Sequence, residues 1–196
     1  MTELSKIVET FDWVERNISG AIRSFSIGYP LWDSEVHVGL ANRTRYIILL
    51  QSLADQLPRY SSIFLMRVWD RHPDAQSFFK LRNQISQNSS IRTRPEFADF
   101  ESQIACFEND DSWKILKQMR DKMMAHTEGV VVGPSNSMPM VQYKKVLDET
   151  ISAADGIQSL ILPQRPSFKE LARQWEEDRG VDLKCMLQSL VAAECE

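Results

Sequence analysis

Apolar residues recur every three or four positions along almost the whole chain. Leu4, Ile7, Val8, Phe11, Val14, Ile18 and Ile22 form the first stripe, an amphipathic helix from Leu4 to Phe25 that closes at Gly28-Tyr29-Pro30. Asp33 is placed to cap a second helix to about Leu57, with Val36, Leu40, Ile47, Leu50 and Leu53 inward. Pro58 suits a first-turn position, so a third helix is expected from Arg59 to Arg71. His72-Pro73-Asp74 breaks that helix and caps a fourth, which runs through FFKLRNQI to about Gln87.

QNSSIRTRPE reads as a loop, because Asn, Ser and Pro favour non-helical backbone. Pro95 opens a further helix carrying Phe97, Phe100, Ile104 and Phe107. FENDDS interrupts it, and Asp110 or Asp111 recaps a helix with Trp113, Leu116, Met119 and Met123. GVVVGPSNSMPM is a loop with a short extended piece at Val130 to Val132, and Val141 to Leu162 is helical again. Pro163 and Pro166 flank a hinge into a tail of two short helices split at Gly180. No stretch alternates with period two, so the fold class is all-α: a helical domain over 1–162 with a helical extension over 163–196.

The 196 residues suffice for one domain with its own core, without metal or disulfide staples. A net charge of −4 excludes wrapping nucleic acid by bulk charge, yet Lys80, Arg82, Arg92 and Arg94 make a local basic cluster around the QNSS loop. Cys106, Cys185 and Cys195 form no CxxC pair, and His37, His72 and His126 form no ligand cluster, so neither a disulfide framework nor a metal or other cofactor is expected. MTELSKIVETFDWVERN lacks the apolar core of a signal peptide, and the longest apolar run, Tyr46 to Leu50, is too short to cross a bilayer. A cytoplasmic location without membrane contact is the expectation.

One segment departs from a plain core helix. With Leu116 of WKILKQMRDKMMAHTEG at zero on a helix of about 100° per residue, Met123 lies about 20° away and Trp113 and Met119 about 60° to either side. Arg120 falls about 40° from the centre of that apolar stripe and His126 about 80° from it on the other flank. A guanidinium at such a border needs an anion or a carboxylate. Two readings stand: a structural ion pair beside a C-terminal cap histidine, or a functional pair.

RDKMMAH, residues 120–126, resembles the Arg-(four to six residues)-His motif of the HEPN superfamily, the higher eukaryotes and prokaryotes nucleotide-binding domains. The polar residue after Arg120 and the Ala before His126 match its common form. LMRVWDR, residues 65–71, is similar to the Leu-x-Arg-x-x-Asp segment of the abortive-infection (AbiU-like) branch. The order of helices over residues 1–162 agrees in layout with that superfamily, and the tail beyond Pro163 lies outside the resemblance.

The resemblance implies a HEPN-like bundle and a metal-independent endoribonuclease of a defence or toxin–antitoxin type, with RNA as substrate and an antitoxin protein as candidate partner. It implies a homodimer in which the motif helices of two protomers meet in a composite site. His126 would be the general base or acid, and Arg120 would hold the scissile phosphate. Asp121 either orients a partner or faces water, and Arg67 and Asp70 either buttress the site or form a local pair three residues apart. Glu128 stands where toxins silenced by a nucleotidyltransferase commonly carry Tyr, which argues against that mode of silencing. The alternative is a non-catalytic helical dimer that binds RNA, nucleotides or another protein. His37 and His72 read as boundary and helix-end residues, and Trp175 as a core anchor or a dimer contact.

Overall fold

A computed structural model describes residues 2–111, 113–114, 116–117 and 140–193. The expectations for Met119, Met123 and the loop with its extended piece at Val130 to Val132 lie outside the described residues. Every regular element among the described residues is a helix, so the protein is all-α over that span. The elements are α1 (Glu3–Gly28), α2 (Pro30–Asp33), α3 (Glu35–Ala41), α4 (Ile47–Val68), α5 (Phe78–Gln87), α6 (Pro95–Asn109), α7 (Met140–Ile161) and α8 (Phe168–Ala193). The described residues between 111 and 117 are helical too.

Helix α1 is the spine. Thr2 caps it by accepting a hydrogen bond from the Ser5 N–H at 3.2 Å, and Ile7, Phe11, Val14, Ile18 and Ile22 are buried as their spacing predicts. Its buried stripe meets α4, α5, α7 and α8, and the main core continues through Leu65, Trp69, Phe78, Phe100, Phe107 and Ile151.

The second and third expected helices are cut differently in the structure. The break falls at 42–46, where Thr44 Oγ1 donates to the Ala41 carbonyl and accepts from the Tyr46 N–H, each at 3.2 Å. Those local bonds replace the helical ladder. Val36 and Leu53, expected inward, are exposed, whereas Leu50 is buried.

Pro58 lies inside α4 instead of opening a helix. A proline leaves the carbonyl four residues earlier without its helical donor. Here that carbonyl belongs to Ala54, and the Trp32 indole Nε1–H donates to it at 2.8 Å. A tertiary contact therefore satisfies the group that would otherwise break the helix. Gly28 permits the close approach: a Cβ there would stand 2.9 Å from Pro58 Cδ and 3.0 Å from Leu57 Cβ. Gly28→Ala is expected to destabilise the fold by about 1–3 kcal/mol through forced separation of α1 and α4, read by urea denaturation. A loss within error of zero would mean that this approach is not tight in solution.

Two further boundaries move. The helix expected to be capped by Asp74 begins at Phe78, because the Ser77 hydroxyl accepts from the Lys80 N–H at 3.4 Å. Asp74 sits instead in a turn closed by Ala75 N–H on the His72 carbonyl, 2.9 Å.

The tail is one helix, not two split at Gly180. A mid-helix glycine costs about 1 kcal/mol against alanine. That is offset where Leu183 and Leu187 enter a second apolar cluster with Leu31, Ala41, Leu50 and Ala54. The Arg23 guanidinium lies 4.6 Å from the Trp175 ring centroid, which makes Trp175 an anchor of the tail on α1.

The expected hinge at 163–166 is tied down. Gln158 Nε2 donates to the Arg165 and Pro166 carbonyls at 3.2 and 2.8 Å, and Arg165 pairs with Asp12 and Glu15 of α1. The Asp155 carboxylate accepts from the Phe168 and Lys169 N–H groups that open α8.

Candidate functional site

Arg120, Asp121 and His126 lie outside the described residues, as does Glu128. Arg67 and Asp70 stand at the C-terminal end of α4, Arg67 exposed and Asp70 half-buried. No ion pair joins them among the described residues. The i,i+3 pairing needs helix through residue 70, but α4 ends at Val68 and Trp69 has left helical geometry at φ −100°, ψ 18°. Asp70 Oδ1 instead accepts from the His72 N–H at 2.9 Å, closing an Asx turn.

Trp69 is the hub of this end of the molecule. It is 1% exposed, stacked on Phe107 with centroids 3.8 Å apart and planes 10° apart, and edge-on to Phe78 at 4.9 Å. Its Nε1–H donates to Thr150 Oγ1 at 2.8 Å, and Thr150 in turn donates to the Val146 carbonyl. The buried ring is thus held by both packing and a polar tether. Two clefts share it as a wall.

The first cleft, of about 270 Å³, is lined by Trp69, Asp70, Arg71, His72, Trp113 and Lys117. Arg71 Nη2 pairs with Glu108 at 2.8 Å and its guanidinium lies 5.5 Å from the Phe79 ring centroid. His72 Nδ1 accepts from the Asp74 N–H at 3.3 Å, which leaves Nε2 for another partner. One carboxylate, an imidazole and two cationic chains therefore border a pocket with indole walls. In the sequence His72 reads as a helix-end residue and nothing local marks Arg71 or Lys117, because only the tertiary fold brings them beside Asp70.

The second cleft, of about 200 Å³, lies between α6 and α7, with Gln103, Cys106 and Phe107 on one side and Glu149, Ser152 and Ala153 on the other. Asp110 closes one end, and Lys145 Nζ stands 2.6 Å from Asp110 Oδ2 and 3.7 Å from Glu149 Oε1. Burial raises the Glu149 carboxyl above the usual carboxylate range, with the Lys145 charge opposing that rise. Gln103 Oε1 and Glu149 Oε2 are cut off from solvent and have no hydrogen-bond partner among the described residues. A signal for both existed in the sequence. Gln103 lies three after Phe100 and four before Phe107, and Glu149 three after Val146 and four before Ala153. Both are thus polar residues set on apolar stripes.

The remaining candidates are structural in their contacts. His37 clasps α3 to the tail: its Nε2 donates to the Gly180 carbonyl at 2.9 Å, so its Nδ1 accepts from Ser34 Oγ at 2.6 Å. In the basic cluster, Arg82 lies 5.5 Å from the Phe79 ring centroid and Arg94 Nη1 donates to the Leu160 carbonyl at 3.4 Å, while Arg92 is exposed. Among the described residues no group of three or more His, Cys, Asp or Glu is placed to hold a metal, and no helix is long and apolar enough to cross a membrane. The chain matches no protein-family model, no curated protein and no solved structure.

Proposed function

We propose that this chain is a metal-independent endoribonuclease of a prokaryotic defence or toxin–antitoxin type, acting as a homodimer whose composite site uses Arg120 and His126. One observation carries the reading. The end of the Arg67–Asp70 segment and the residues leading to Arg120, Trp113 and Lys117, border one cleft with Arg71 and His72. Lys117 precedes Arg120 by three residues in the sequence. A polar cleft with cationic side chains at that end suits a phosphodiester.

In this mechanism His126 takes the proton of the ribose 2′-hydroxyl, whose oxygen attacks phosphorus and displaces the 5′-oxygen. A second acid, His126 of the partner subunit or another group, returns a proton to that leaving oxygen. Arg120 offsets the charge that builds on the non-bridging oxygens. The products are a 2′,3′-cyclic phosphate and a 5′-hydroxyl, and DNA, lacking the 2′-hydroxyl, is left whole. The test is incubation of the purified chain with RNA and with DNA in EDTA. Cleavage of RNA alone is expected, and intact RNA at high protein concentration refutes the proposal.

The alternative, a non-catalytic helical dimer, is favoured by a different observation. Trp32 on α2, Val36 on α3, and Ile48 and Leu49 at the start of α4 are more than half exposed, Ile48 at 79%. Apolar surface of this kind is a common mark of association. Ile48→Asp is expected to shift the mass in light scattering from dimer to monomer if the dimer forms through α4, and to leave both the dimer and RNA cleavage unchanged if the dimer forms through the segment that carries Arg120 and His126.

A further inference from the structure

We infer that the outer face of α4 is a self-association seam. It pairs antiparallel with α4 of a second copy of this chain, in the register that sets Gln56 against Tyr60 of the partner subunit. The inference deepens the dimer reading of α4 and rests on it; RNA cleavage does not enter.

Outward positions of α4 repeat in steps of four, three, four, three and four: Leu49, Leu53, Gln56, Tyr60, Ile63 and Arg67. At about 100° per residue the six fall within an arc of about 80°. Leu49, Leu53 and Tyr60 are 58%, 39% and 54% exposed, Gln56 and Arg67 are exposed too, and Ile63 is half-buried. The opposite side, with Leu50, Ala54, Leu65 and Val68, already faces the chain's own apolar clusters. A period of 3.5 is the spacing of a seam between two helices, narrower than the stripe that buries a helix in a globular core.

Charge narrows the occupant. No seam position from Leu49 to Ile63 is charged. The charges beside it, Asp55 and Arg59, pair with each other at 2.9 Å. An uncharged helix laid on the seam therefore strands no ion, whereas a polyanion finds no cation along it.

A second α4 meets these terms. About an antiparallel two-fold level with Pro58, Leu53 faces Ile63 and Gln56 faces Tyr60, each twice, so the polar side chains of the seam donate and accept across the axis. Leu49 lies against Arg67, whose stem covers it while the guanidinium reaches water at the end of the pair. The register centred between Ala54 and Asp55 instead sets the Gln56 amide on Leu53. A parallel pair stacks Arg67 on Arg67, a like-charge contact. One polar seam residue is enough to fix register in this way. The paired length, 49–67, is about 28 Å, which places the contact at the small end of specific interfaces and a dimer in the micromolar range.

The experiment measures the mass of the full chain by light scattering from about 1 to 200 μM, across that range. Leu53→Glu and Tyr60→Glu are measured alongside, each checked for a native melt. Each variant is expected to halve the mass that the native chain reaches and to weaken association at least about 100-fold, because the two-fold buries the unpaired carboxylate twice. Tyr60→Glu decides alone if Leu53→Glu fails to fold. The register is read with Cys106→Ser, Cys185→Ser and Cys195→Ser in place, by mixing and oxidising Gln56→Cys and Tyr60→Cys chains that carry tags of different mass. The mixed disulfide is expected in excess over either like pair, because facing positions come within reach of a disulfide and those a turn apart do not. Leu53→Cys mixed with Gln56→Cys reports the other register and is expected to show no excess. A native chain that stays monomeric at about 200 μM, which leaves the face to a different protein, overturns the seam and the α4 dimer with it. So does a mass unchanged in both glutamate variants. Masses halved in both, with the excess in the Leu53→Cys mixture or in neither, keep the α4 dimer and overturn the register.

Discussion

Trp69→Ala is expected to cost about 3–5 kcal/mol, the range for removing a large buried aromatic. The ring is 1% exposed and lies between Phe107, Phe78 and Trp113, so neighbours on several sides lose contacts together. Its indole N–H also leaves Thr150. The second loss is small, because the Thr150 hydroxyl still donates to the Val146 carbonyl and is not orphaned. Against a total stability of about 5–15 kcal/mol for a domain, the variant is expected to sit near the edge of unfolding at 37 °C. Trp69→Phe isolates the tether from the ring and is expected to lose about 1–2 kcal/mol. Urea denaturation of both variants checks this; a loss below about 1 kcal/mol for the alanine variant would mean that the ring is not enclosed. The cleft with Arg71, His72 and Lys117 shares this wall, so any variant that folds is also expected to bind RNA more weakly.

His126→Ala is expected to slow RNA cleavage at least about 100-fold while leaving RNA binding nearly intact, because a general base acts on the transition state and not on affinity. Arg120→Ala is expected to cost a similar factor and to weaken binding as well, since the guanidinium touches phosphate before and during the reaction. Arg120→Lys restores little, because an ammonium lacks the two-pronged donor geometry. A composite site makes a sharper demand. Two inactive variants that exchange subunits give mixed dimers in half the population. If Arg120 of one protomer works with His126 of its partner, each mixed dimer holds one intact site of two, so about a quarter of the original sites return. A site contained within one chain returns none. Mixing the purified variants and measuring initial rates distinguishes the two, and no loss of rate in either single variant removes the nuclease proposal.

The main helices were legible because their signal is local. The stripe from Ile7 to Ile22 and the stripe from Phe97 to Phe107 each bury one face against the core, and that spacing is written in the chain. Pro95 at the first turn of α6 and the break at Asp110 follow from the same local rules. Three boundaries were not legible, each for a nonlocal reason. Pro58 stays within α4 because Trp32, 22 residues away from Ala54, supplies the donor that the proline removes. Gly180 does not end the tail helix because His37 and the apolar cluster around Leu183 hold it on both sides. Ser77 outcompetes Asp74 as a cap because Asp74 is engaged in the turn after α4.

The candidate site divides along the same line. Charges and spacing alone determined a helical pattern over the described residues, a modest negative charge and the three-residue spacing of Arg67 and Asp70, while the expectation that Arg120 and His126 flank an apolar stripe lies outside the described residues. The folded chain alone decided that Asp70 turns to a backbone N–H and away from Arg67. It also decided that Arg71, His72 and Lys117 share one cleft, and that Gln103 and Glu149 line another between α6 and α7. Helical periodicity is a property of neighbours within a few residues, whereas a cleft is made by side chains whose distance depends on how whole helices end and cross.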